Sequence, residues 1–87
     1  MHPGAVLIHE GLRDLAGGRM TVAALLVAVG APRLRRLGLD VPPHSLQHPE
    51  HGLYELLARS DPDSAHARYN ALIRRLVSFE RSLSCGS

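Results

Sequence analysis

The sequence predicts an all-α protein: a small bundle of four to five helices ending in a long C-terminal amphipathic helix. Three observations carry this. Aromatic residues make up only 3% of a chain that is 45% hydrophobic, so core volume has to come from Leu, Val, Ile and Ala. A sheet would instead be enriched in β-branched and aromatic residues. Apolar residues recur at helical spacing near both ends of the chain, and glycine or proline falls between the periodic stretches, where helices stop and start. At 87 residues the chain is expected to form a single helical domain over 1–87, with residues 1–2 and 84–87 as loose ends. A domain of this size buries roughly 60–65% of the surface its unfolded chain exposes and holds little stability in reserve.

The first helix is expected over residues 5–16, with Pro3 suited to its opening turn. Ile8, Leu12 and Leu15 share one face. Gly11 weakens that helix by about 1 kcal/mol relative to alanine, which points to a close helix contact there. Gly17-Gly18 supplies the stop.

Thr21 is the expected N-cap of the second helix, and residues 22–29 are apolar throughout. An element apolar on all sides has to be enclosed by its neighbours, so this one is expected at the centre of the fold. A buried strand is the rival reading of so short an apolar run. The alanines from Ala23 through Ala31, together with the cap, favour helix. Gly30 is expected to end it, and Pro32 to open a separate two-turn helix closed by Gly38. In that short helix Leu34 and Leu37 share one face while Arg33 and Arg36 share another.

Residues 39–48 form the connection, held extended by Pro42-Pro43. The next helix is expected from Pro49, with Glu50 near its positive end and Arg59 near its negative end. Leu53, Leu56 and Leu57 would face inward with Tyr54 beside them. The last helix is expected to be capped by Asp61, to hold Pro62 in its first turn and to run to Leu83. Ala65, Tyr69, Leu72, Leu76, Phe79 and Leu83 are spaced 4, 3, 4, 3, 4, the repeat of a helix laid along another at a shallow angle. Ile73 and Val77 add a second apolar flank.

All ten basic residues are arginine, and the formal net charge is +2. This mild basicity permits nucleic-acid contact without demanding it. The lone Cys85 cannot staple the fold internally, so a reducing cytoplasm is the expected location. No stretch reaches the roughly 18 apolar residues of a bilayer span, and the N-terminus lacks the basic-then-apolar pattern of a signal peptide. No membrane association is expected.

Several constellations bear on function. Thr21, Leu25, Val29 and Gly30 fit a helix-turn-helix template, in which Arg33, Arg35 and Arg36 would reach phosphates or guanine edges. Leu26 is large where that motif has alanine, and Arg36 stands where an apolar residue packs inward. His44, His48 and His51 crowd one short segment and are of a type that zinc or nickel accepts. The prolines around them restrict it, and no metal is expected. Arg59 and His66 resemble the arginine–histidine signature of HEPN-type helical ribonucleases. The resemblance implies that the two residues would pair across a helical dimer to cut RNA. It covers only the stretch from Arg59 to Tyr69, with Pro62 between the two residues and Tyr69 one position later than the family's His-x-Tyr spacing. No glycine-rich phosphate loop with lysine and no evident carboxylate pair is present, so neither catalytic residues nor a cofactor are expected.

The remaining reading is one of area. The last helix, some 33 Å long at about 1.5 Å per residue, tends to overhang a domain whose radius of gyration is about 12 Å. Tyr69, Leu72, Ile73, Leu76, Val77 and Phe79 are the expected interaction residues, meeting a second copy of the chain or another helical protein. The expected role is thus a small helical protein-interaction or regulatory module that self-associates through its C-terminal helix. The alternative is a helix-turn-helix-like DNA-binding regulator using Arg33, Arg35 and Arg36.

Overall fold

A computed structural model describes residues 4–85. They form four helices: α1 (Ala5–Ala16), α2 (Val22–Arg36), α3 (Pro49–Ser60) and α4 (Ala65–Cys85). The loose ends expected at residues 1–2 and 86–87, and Pro3, lie outside the described residues, whereas Ser84 and Cys85 complete the last turn of α4. The radius of gyration is 12.4 Å and the principal extents are 38 × 25 × 19 Å.

α2 is the central element. Residues 23–28 are all buried, as are Gly30, Ala31 and Leu34, and α1, α3 and α4 each pack on it. The N-terminus of α2 is set by Thr21, whose hydroxyl oxygen accepts the Ala24 N–H at 3.2 Å. A cap of this kind contributes about 1 kcal/mol. α1 lies so close to α2 that a Cβ on Gly11 would overlap the Ala23 carbonyl and a methyl of Val27. α1 itself ends at Gly17-Gly18. The Gly18 N–H bonds to the Leu15 carbonyl and the Arg19 N–H to the Asp14 carbonyl, with Gly18 at φ +77°. This is the paired closure of a helix that stops on a left-handed residue.

Two expected boundaries are corrected. Gly30 does not end the second helix and Pro32 does not open a new one, because α2 runs unbroken through both to Arg36. Gly30 is buried with Leu76 and Glu80 of α4 against it, and the next residues include Ala31 and Leu34, both sealed in the core. That packing offsets the roughly 3 kcal/mol that an interior proline costs a helix. The helix stops one turn later at Gly38, φ +97°, where the Leu39 N–H bonds to the Leu34 carbonyl at 3.0 Å. The described residues accordingly form four helices.

The start of α4 is the second correction. Asp61 is extended and ends α3, and helix begins at Ala65 rather than around Pro62. The Asp61 carboxylate accepts the Asp63 N–H at 3.2 Å, and its carbonyl accepts the Ser64 N–H at 3.3 Å. This local turn competes with helix over residues 62–64.

Candidate interaction surface on the last two helices

α4 packs on α2 and α3 along one face. Ala65, Leu76 and Phe79 are buried, while Tyr69, Leu72, Ile73 and Leu83 are half-buried. Leu76 and Phe79 are thus closed off in the chain's own core and present no surface to a partner. Val77 is 36% exposed. Tyr69, Ile73 and Val77 stand four residues apart, in a single row along the helix. Tyr54, 38% exposed, extends this row onto α3, its ring 5.7 Å from that of Tyr69 and 6.5 Å edge-on from His66. The row therefore crosses the seam between two helices. Tyr54's place was readable from the sequence, since it sits one residue past the inward Leu53 and so about 100° round the helix from it.

On the same helix, Glu80 is 5% exposed, a buried charged residue in the core. Its carboxylate and the Leu76 side chain fill the space left by Gly30, where a Cβ would meet Leu76 Cδ1 at 2.8 Å and Glu80 Oε2 at 3.2 Å. Burial pushes the Glu80 carboxyl above its ordinary range, and the positive charge of Arg33 pulls it partly back. The sequence signal was Glu80's position four residues after Leu76 and three before Leu83, inside the apolar stripe.

The arginine block occupies the last turn of α2. With no turn at Gly30, the two-helix frame expected for DNA recognition is not formed. Arg35 faces the connection, its guanidinium donating to the Val41 carbonyl at 3.4 Å and the Pro42 carbonyl at 3.2 Å. Arg33 lies within the electrostatic reach of Glu80. The Arg36 Nε donates to the Pro32 carbonyl at 3.5 Å.

The histidines diverge. His51 pairs with Glu55 at 2.7 Å, His48 is an exposed residue ahead of α3, and His44 turns inward. Among the described residues no three His, Cys, Asp or Glu side chains gather where a metal ion would be held. Arg59 lines a groove with Met20 and Glu55, while His66 meets Asn70 at 3.2 Å. Cys85 is free and exposed. No helix among the described residues is long and apolar enough to cross a membrane.

At the α1–α2 junction, Asp14 accepts from Thr21 Oγ1 at 2.7 Å and from Arg19 at 3.2 Å. The Thr21 hydrogen bond leads in holding the Asp14 carboxyl below its ordinary range; burial opposes it, and Arg19 and Arg13 add to the lowering. This cluster ties the turn together. No family model, no curated protein and no solved structure matches the chain.

Proposed function

We propose that this protein is a small helical interaction or regulatory module that self-associates through the exposed flank of α4. The observation that supports the reading is the row Tyr54, Tyr69, Ile73 and Val77, which the chain's own helices leave partly uncovered. Apolar and aromatic side chains aligned over two helices form a ridge that a second copy covers isologously, each ridge lying on the other. Leu76 and Phe79 anchor the helix from beneath. A charge at either would unfold the domain rather than test an interface.

The test is sedimentation of the full chain at tens of micromolar, alongside Val77→Glu and Ile73→Glu. Dimer for the natural chain and monomer for Val77→Glu, with helix content unchanged, is the expected result. A natural chain that sediments as monomer across this range removes the reading. DNA contact by Arg33, Arg35 and Arg36 is the competing proposal, and it requires retention on random duplex DNA that falls steeply with salt.

A further inference from the structure

A pocket of about 250 Å³ opens between the C-terminal half of α2, the connection after it and the first turn of α3. It belongs to no part of the self-association surface. Its apolar lining includes Val29 and Pro32, and its polar side chains are Arg35, His44, Gln47 and Glu50. Three features mark it as more than a surface dimple.

The first is an unpaired imidazole nitrogen. His44 Nδ1 is buried and makes no hydrogen bond. A buried polar atom left without a partner is costly, and a ligand group that supplies one recovers that cost. The second is Pro32. Having no N–H, it cannot serve the carbonyl of Ala28 four residues before it, and Ala28 also lines the pocket. The third is the pair of opposite charges. Arg35 uses Nε and Nη2 to hold the Val41 and Pro42 carbonyls, while its Nη1 makes no bond among the described residues. Glu50 lines the same pocket.

We infer that this pocket binds a small zwitterion with a short apolar side chain, the chemistry of an aliphatic α-amino acid. The guanidinium of Arg35 takes the carboxylate. Glu50 and the Ala28 carbonyl accept from the ammonium, and the side chain lies on Val29 and Pro32. His44 Nδ1 completes the set as donor or acceptor, according to its tautomer. The volume lies below that of pockets for drug-sized ligands, consistent with so small a molecule. The prediction stands apart from self-association, since none of these residues lies in the row on α3 and α4.

The experiment is a backbone NMR titration of the full chain with L-valine to about 10 mM. Isobutylamine and isovalerate, which each keep one of the two charges, are titrated in parallel. Saturable shifts at the amides of Val29, His44 and Glu50 with valine, and none with either half-molecule, are expected. Glu50→Gln and His44→Ala should each weaken valine binding by roughly tenfold. Glu50 is exposed, so its variant keeps the test decisive if His44→Ala fails to fold. No saturable shift with valine, equal binding of isovalerate, or valine binding unchanged in Glu50→Gln would each overturn the assignment.

Discussion

Gly17-Gly18 and Gly30 both read in the sequence as helix stops, and they behave in opposite ways. At Gly17-Gly18 the helix stops, whereas at Gly30 it continues through Ala31 and even Pro32. The backbone differs first. Gly18 adopts φ +77°, with no atom near its missing side chain, so glycine is there for its left-handed conformation. Gly30 keeps helical geometry, and its missing Cβ is occupied by Leu76 and Glu80 from α4. One glycine bends the chain; the other lets a neighbouring helix come close. The lesson is that a glycine acts as a stop only when solvent, rather than a packed neighbour, takes the space it leaves.

Substitutions sharpen this contrast, beginning with the largest expected effect. Gly30→Val should cost about 3 kcal/mol, because its branches push into the Leu76 and Glu80 side chains. Chemical denaturation measures the loss, and the milder Gly30→Ala should show a clearly smaller one. A Gly30→Val as stable as the natural chain would mean α4 is not held against α2. Pro32→Ala should do the reverse and stabilise by about 2 kcal/mol, since it restores an N–H to the Ala28 carbonyl. A melting temperature raised by about 4–8 °C per kcal/mol is the readout for a domain this small.

At the other glycine the size of the side chain should hardly matter. Gly18→Ala is expected to cost about 1–2 kcal/mol from backbone strain alone, and Gly18→Asn distinctly less, as asparagine tolerates that conformation. Equal losses for both would show that the space around residue 18, and not its φ, sets the preference.

The smallest effect concerns Glu80, the charge that Gly30 shelters. Its folded-state pKa is raised, so the folded chain holds a proton that the unfolded chain gives up at lower pH. Stability contributed by that proton is fully present below the unfolded pKa and is lost as pH rises through the elevated folded value. Between those values stability should fall with rising pH, and Glu80→Gln should flatten the fall. Comparing denaturation midpoints at mildly acidic and neutral pH checks this, and an unchanged slope in Glu80→Gln would show that the charge lies elsewhere. Asp14 works in the opposite sense. Its lowered pKa makes a contribution present above its unfolded value that disappears as pH falls through the folded one.

Much of the helical layout was legible in the residues themselves. Thr21, Gly17-Gly18, Gly38 and Pro49 mark ends that the fold uses, because capping and left-handed closure depend on a few adjacent residues. Gly11 also signalled the close approach that α1 makes to α2. The candidate surface was only half legible. Heptad spacing picks out Tyr69, Leu72, Leu76 and Phe79, with Ile73 and Val77 as an apolar flank beside them, but periodicity gives only the direction of a side chain along one helix. It does not say where a neighbouring helix ends. Leu76 and Phe79 lie under that neighbour while Val77 emerges beside it, and Tyr54 joins Tyr69 only because α3 folds back along α4.

Local chemistry alone determined that this chain is helical, that residues 22–29 belong at its centre and that α1 ends on a glycine pair. The tertiary structure decided that α2 survives Gly30 and Pro32, that Glu80 goes inside, and that a histidine, an arginine and a glutamate from three segments share one pocket. The division has a physical reason. Caps and turns are set by forces acting within one helical turn, whereas the fate of a glycine gap or a buried carboxylate depends on which distant side chain arrives to fill it.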